Sequence, residues 1–306
     1  MYAAKNEHTE IRTYDATMDE CTPERLALYG QLRRAIDNNE LVLHYQPKLA
    51  FGDGRVYGVE ALVRWQHPTR GLSGPDAFIS IAEQTGLIRP LTDWVLANAL
   101  RQLDAWRSEG LELSVAINLS ARSLIDAELP TRIFRALAQH QLPADVLELE
   151  LTETMIMIDP GRALRVLGQL QARGIRIAVD DYGTGHSSLS YLRRLPIADL
   201  KIDKSFVIGM ERDDSDDVIV RSTIELARDL NLRVVAEGVE TVTALRRLQA
   251  LGCDAAQGYY LGRPVAPETV RATIRDVEGR IAALAHDGTD AADAVSSVLA
   301  EHTTAT

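Results

Sequence analysis

The residues able to do chemistry stand where short apolar runs end: Glu60, Asn118, Glu150 followed by Glu153, the adjacent Asp180 and Asp181, Lys201 followed by Asp203, Glu237 followed by Glu240, and Gln257. Any one of them alone is an ordinary solvated strand end. As a set they are not. A run such as Ile175–Val179 belongs in a core, and polar groups at one level of several such runs are costly unless they pair or bind something. At an effective dielectric of ~20 and separations of about 6 Å, each pair of like charges costs ~3 kcal/mol. Two divalent cations would balance Glu60, Glu150, Asp180, Asp181 and Glu237 against Lys201 to near zero, which favours a two-metal site over a one-metal site. Oxygen ligands without Cys or a His pair suit Mg²⁺ or Mn²⁺ rather than structural zinc. Asp180 would bridge the ions while Asp181 reaches the second. Such a pair activates water for in-line displacement at phosphorus, so the expected chemistry is metal-dependent phosphoester hydrolysis. Enolase-like proton abstraction would use similar ligands, and spacing does not separate the two.

The elements that must position these groups alternate in type. Strands are expected at Leu41–Gln46, Val56–Arg64, Ser114–Leu119, Leu147–Leu151, Ile175–Val179, Leu200–Ile202, Arg233–Ala236 and Ala255–Tyr260, with helical patterns between most of them. Thr92 is placed to cap a helix carrying Leu96, Leu100 and Leu103, which Gly110 would stop. Another helix is expected after the acidic run Asp213–Asp217, which reads as its solvated N-terminus. Eight strands alternating with helices indicate an α/β fold, a (β/α)8 TIM-like barrel, with its chemistry at the C-terminal strand ends. Only Pro47–Arg55, containing Gly52-Asp53-Gly54, separates the first two strands. That gap fits a hairpin and is too short for a parallel crossover, so one antiparallel strand is expected near the N-terminus. A doubly wound open sheet lacks its glycine-rich fingerprint here.

Composition narrows the functional classes. The chain has 306 residues, 46% hydrophobic and 25% charged, enough for a sizeable core. Its net charge of -11 makes it a poor partner for a nucleic acid polymer. Two cysteines, Cys21 and Cys253, cannot build a disulfide framework or a cysteine-rich zinc site. A polar start and the lack of a long apolar run fit a cytoplasmic domain, with any membrane attachment through segments upstream. Residues 1–26 read as a linker or the end of an upstream domain, 27–280 as the barrel, and 281–306 as an Ala/Asp-rich tail. His44, His67 and His140 are dispersed and read as structural, Cys253 as buried and inert, and Trp65, Trp94 and Trp106 as core or pocket wall.

Glu60-Ala61-Leu62-Val63-Arg64-Trp65 resembles the signature of EAL domains, which hydrolyse cyclic di-GMP to linear pGpG. The rest of the pattern stands in order between about Leu28 and Pro267: Tyr45-Gln46-Pro47, Asn118-Leu119-Ser120, Glu150-Leu151-Thr152-Glu153, Asp180-Asp181-Tyr182-Gly183-Thr184-Gly185, Leu200-Lys201-Ile202-Asp203, Ala236-Glu237-Gly238-Val239-Glu240 and Gln257-Gly258-Tyr259. The resemblance implies that Glu60, Asn118, Glu150 and Asp180 bind a first metal, and that Asp180 and Asp181 serve a second. It implies that Lys201 orients the attacking water and that Glu237 acts on it as base or anchor, without settling which of the two is the base. Leu62, Arg64, Asp181 and Gln257 would bind substrate, with Arg64 on a phosphate. Glu153 would brace the loop Tyr182–Ser188, coupling a homodimer interface around Ser187–Arg194 to the metals. Mg²⁺ or Mn²⁺ would support turnover and Ca²⁺ would inhibit. Tyr182 and His186 depart from the usual Phe and Tyr of that loop, which puts the coupling rather than the catalysis in question. Met1-Tyr2-Ala3-Ala4-Lys5 with Tyr14-Asp15 resembles the end of a GGDEF domain. The competing reading is a silent cyclic di-GMP receptor, which would be expected to lack metal ligands or the Lys201/Glu237 pair.

Overall fold

The computed structural model describes residues 23–184 and 192–285. Contacts divide the chain into two compact units, one of residues 1–42 and 64–91, the other of residues 43–63 and 92–306.

The larger unit holds the barrel. Its strands are β1 (Leu41–Ala50), β2 (Val56–His67), β4 (Ser114–Asn118), β5 (Leu147–Thr152), β6 (Arg176–Tyr182), β7 (Asp199–Ile202), β8 (Arg233–Ala236) and β9 (Ala255–Ala256), numbered so that β3 (Gly71–Ser73) is the short extra strand of the other unit. The order β1-β9-β8-β7-β6-β5-β4-β2 closes through a β1–β2 pairing. All neighbours from β2 to β9 run parallel, whereas β1 is antiparallel to β9. The expected antiparallel strand and its hairpin are therefore present; the turn is closed by Ala50 N–H donating to Arg55 O at 2.9 Å.

Parity along the strands explains the core. Leu147, Leu149 and Leu151 alternate with Glu148 and Glu150, Ile177 and Val179 with Ala178 and Asp180, and Leu200 and Ile202 with Asp199 and Lys201. Successive side chains of a strand take opposite faces. The first set packs under the helices, and every residue of that set is at most 1% exposed. The second set lines the barrel axis. Helix Asp214–Asp229 opens as expected, with the Asp213 carboxylate accepting from Ser215 N–H, and buries Val220, Ile224 and Ala227.

Thr92 does not cap a helix. The helix spans Ile88–Ser108, and Thr92 lies inside it, buried, its hydroxyl 3.1 Å from that of Ser123. Gly110 stops the helix at φ 76°, a value that favours glycine. The eighth strand is shorter than the expected Ala255–Tyr260. It ends at Ala256, and Gly258 sits so close to Val239 that any Cβ would meet its backbone at 2.2 Å.

The smaller unit centres on Trp65, 2% exposed, whose indole N–H donates to Glu40 at 3.2 Å and whose ring meets Phe78 edge-on at 5.8 Å. Trp65 is thus core. His67 faces Gln31 across 3.3 Å and accepts from Thr69 N–H, a structural role as expected. Strand β3 pairs antiparallel with the end of β2.

Candidate active site

The site forms at the C-terminal ends of the parallel strands. Glu60 sits on β2, and its two oxygens accept from Asn118 Nδ2 at 2.7 Å and Gln257 Nε2 at 2.6 Å. Gln257 also donates to Gln46 Oε1 at 3.0 Å, and Gln46 in turn to Gly262 O. Residues from β1, β2, β4 and the end of β9 therefore aim one amide-bridged carboxylate into the mouth. Burial, then Glu150, pushes the Glu60 carboxyl above the usual range.

Lys201 is the centre of charge. Its ammonium, fully buried, lies 2.9 Å from Glu150, 3.1 Å from Asp180 and 2.5 Å from Glu237. Burial works against the charge, but Glu150, Glu237 and Asp180 outweigh it and hold Lys201 well above the ordinary lysine range. Glu237 is set just past β8 by its N–H donating to Ile202 O at 3.1 Å. Its carboxyl is pushed up to about 8 by burial, with Asp180, Glu60 and Glu150 adding to the rise and Lys201 opposing it.

The two aspartates reach one place by a local irregularity. Between β6 and β7, Val179 pairs with Leu200 but Tyr182 pairs with Ile202, so three steps on β6 oppose two on β7. Asp181 takes the extra position at φ 53°, and its N–H donates to Asp180 Oδ1 at 2.9 Å. In a regular strand adjacent side chains would diverge; the bulge re-aims one of them. Asp180, Asp181 and Glu237 each bring a carboxylate oxygen within 4.8 Å of the others, a grouping able to hold a metal ion. Burial, Asp180 and Asp203 push the Asp181 carboxyl up to about 6. Asp203 caps helix Lys204–Gly209 through Ser205 N–H at 2.9 Å.

Glu150 is completely buried. Burial would raise its carboxyl, but Lys201 and Lys48 together hold it at about 2. Lys48 is the residue that sequence reasoning missed. It lies on β1, 1% exposed, 2.6 Å from Glu150 and 2.7 Å from Glu148. Carrying the first strand past Gln46 would have found it, because Gln46 and Lys48 share a face in an alternating strand. Lys48 and Glu148 add one charge of each sign, so the balance that favours two divalent cations is unchanged.

Glu60, Leu62, Asp180, Glu237, Gln257 and Tyr259 line a cleft of about 390 Å³. Arg64 lies four residues beyond Glu60 on β2, half-buried, in the smaller unit. Glu153 opens helix Glu153–Ile158. The Thr184 hydroxyl donates to Asp181 O at 2.9 Å. Gly183, at φ 101°, faces Phe206 so closely that a Cβ would stand 2.8 Å from its ring. His186 and most of the expected interface segment Ser187–Arg194 lie outside the described residues. Cys253 is buried, its thiol directed at backbone carbonyls and pushed up to about 12 by burial, as expected of an inert residue.

The family model of the EAL domain matches residues 30–264. The chain belongs to the EAL domain family. It is 43% identical over 276 residues, 90% of its length, to the bifunctional diguanylate cyclase/cyclic di-GMP phosphodiesterase MucR of Pseudomonas aeruginosa, and 45% identical over 243 residues, 79% of its length, to the cyclic di-GMP phosphodiesterase NbdA of the same organism. It spans only 40% and 31% of those relatives. A solved structure of the PaMucR phosphodiesterase in complex with c-di-GMP matches 80% of this chain and 99% of its own, with a TM-score of 0.77 and 45% identity. The EAL enzyme Bd1971, with cAMP and cyclic di-GMP bound, matches 82% of this chain and 69% of its own, with a TM-score of 0.78 and 32% identity. Among the described residues of this EAL domain protein, no helix is long and apolar enough to cross a membrane.

Proposed function

We propose that this chain is a metal-dependent phosphodiesterase that hydrolyses cyclic di-GMP to linear pGpG. The observation that carries the reading is the contact of one buried ammonium, Lys201, with Glu150, Asp180 and Glu237 at the mouth of the barrel. A silent receptor would be expected to lack a metal ligand or the Lys201/Glu237 pair, and both are present here.

The residues present fit divalent cations. The donor set is oxygen only, and Gln257, which lines the cleft, has its Oε1 buried without a hydrogen-bond partner. Glu60, Asn118, Glu150 and Asp180 would hold one ion, and Asp180 with Asp181 the other. Mg²⁺ or Mn²⁺ would supply Lewis-acid stabilisation of the phosphoryl oxygens and a more acidic water. Lys201, held charged by its carboxylates, would orient the nucleophile. Glu237, 2.5 Å from Lys201, accepts the nucleophile's proton. Leu62 on the cleft wall would engage the substrate, and Arg64 would bind a phosphate. Glu153 supports the loop after Asp181, and through it a homodimer would tune the second metal.

The test is incubation of the protein with cyclic di-GMP and Mg²⁺ or Mn²⁺, with products separated by chromatography. The expected product is pGpG, lost in EDTA and suppressed by Ca²⁺, whose longer and looser coordination misplaces the water. Full turnover in excess chelator would end the metal mechanism. Tight binding without any product would favour the receptor.

A further inference from the structure

Among the described residues lining the cleft, four are carboxylates, Glu60, Asp180, Glu237 and Glu240, and a single one is a cation, Lys204. The buried Lys201 does not line it. Lys204 begins helix Lys204–Gly209 directly after Asp203, yet Asp203 turns its Oδ1 to Ser205 N–H and to the Ser205 hydroxyl. Among the described residues, Lys204 forms no ion pair. Lys204 is thus an exposed cation at a wall of carboxylates, close enough to act on the Asp203 charge but held in no ion pair.

Its place is enforced by a second residue. Gly238 follows Glu237 at φ 69°, and a Cβ there would stand 2.5 Å from Lys204 Cβ and 3.0 Å from its Cα. Only glycine combines that backbone with that approach. The turn carrying Glu237 and the first residue of the helix are therefore locked together, and the flexible stem of Lys204 starts from a fixed point beside the reacting carboxylates.

We infer that Lys204 is a substrate-positioning residue that binds the dinucleotide phosphate not undergoing attack. The inference rests on the phosphodiesterase reading. A cyclic dinucleotide carries two phosphates; the site acids and their metals would engage the one being cleaved, and among the described residues of the cleft wall Lys204 is the cation available, beside the Arg64 proposed above for a phosphate, to meet the other. A compact ammonium on a four-carbon stem suits such a contact, which needs charge rather than a fixed fork.

The experiment compares wild type, Lys204→Ala, Lys204→Arg and, as a control for charge loss elsewhere, Arg275→Ala on the outer helix over residues 270–285. KM and kcat for cyclic di-GMP are measured with Mg²⁺, binding of cyclic di-GMP is measured in Ca²⁺, and inhibition by pGpG is measured alongside. The expected result for Lys204→Ala is a KM and a Ca²⁺-state Kd raised about 5- to 20-fold, with kcat within threefold and a weaker dependence on salt. Lys204→Arg recovers most of the loss and Arg275→Ala behaves as wild type. A change confined to pGpG inhibition would assign the contact to the terminal phosphate created by hydrolysis. Unchanged constants in Lys204→Ala, beside a wild type that cleaves cyclic di-GMP, would overturn the role of Lys204 alone. A wild type that neither binds nor cleaves it would instead remove the substrate reading.

Discussion

At the N-terminal ends of β6, β7 and β8, Asp199 is met by Arg176 at 2.9 Å and Arg233 at 2.5 Å, and on β5 Glu148 is met by Lys48 of β1 at 2.7 Å. At the opposite end of the barrel, Glu150, Asp180 and Glu237 share the Lys201 ammonium, with Glu60 and Asp181 beside them. The lower cluster pairs every carboxylate with at least one cation, and its charges balance once Glu150, which shares Lys48, is counted. The upper one leaves carboxylates in excess, with two of them, Glu237 and Asp181, pushed up to about 8 and about 6. One barrel axis thus carries a cation-rich cluster and an acid-rich one. The column Glu148–Lys48–Glu150–Lys201 joins them.

The largest separation should come from removing one acid at each end. Asp180→Ala is expected to reduce turnover by about 10³-fold or more without loss of stability, because it relieves like-charge crowding. Asp199→Ala should leave kcat of the folded protein within threefold and cost about 3–5 kcal/mol, since two arginines lose a buried partner. Steady-state kinetics and denaturant unfolding check both. A catalytic collapse of Asp199→Ala at unchanged stability would mean that the ends are not separable.

The two lysines sharpen the contrast next. Lys201→Met should lower kcat by about 10²- to 10⁴-fold. Lys48→Met should chiefly destabilise, by about 3–5 kcal/mol, because Glu148 and Glu150 are left buried beside a missing cation. Adding Glu148→Gln should return part of that stability, measured by urea unfolding.

Protons report the same asymmetry. Glu237 has a raised carboxyl, so between about 4.5 and 8 the metal-free folded state holds more protons than the unfolded one, and stability falls as pH rises through that window. Glu150 is the opposite case: held at about 2, it stabilises above 4.5 and loses that contribution as pH falls towards 2. Metal-free Tm is therefore expected to decline from pH 5 to pH 8, and saturating Mg²⁺ to flatten that decline. Metal binding at pH 7 should release protons, seen by calorimetry in buffers of different ionisation enthalpy. Binding with no proton exchange would contradict the raised Glu237 carboxyl.

A smaller effect is expected at the turn after the aspartates. Gly183→Ala combines a φ of 101° with a ring 2.8 Å from the new Cβ. It should cost roughly 1–2 kcal/mol and weaken Mn²⁺ binding a few-fold in a titration followed by paramagnetic resonance. Unaltered affinity would show that the turn does not aim Asp181.

The strands and their reactive ends were legible because both signals are local: apolar alternation and a polar residue closing each run survive in one dimension. Arg233–Ala236 matches its strand to the residue, and Glu60, Asn118, Asp180, Lys201, Glu237 and Gln257, read from the strands and their ends, converge in space. What failed depended on neighbours. Thr92 has the chemistry of a cap, but packing of the preceding turn carries its helix back to Ile88. The end of β1 was hidden because Pro47 and Lys48 look like a loop until β9 supplies a partner for Leu49. Tertiary structure alone decided the bulge that brings Asp180 and Asp181 to one side, since strand periodicity by itself sends adjacent residues apart. It also decided that Lys48 stands between Glu148 and Glu150 from a strand about a hundred residues away. Residue type and order set which groups could form a metal-binding mouth; closure of the sheet set which charges cancel and which remain, because that depends on distances through space that no local pattern encodes.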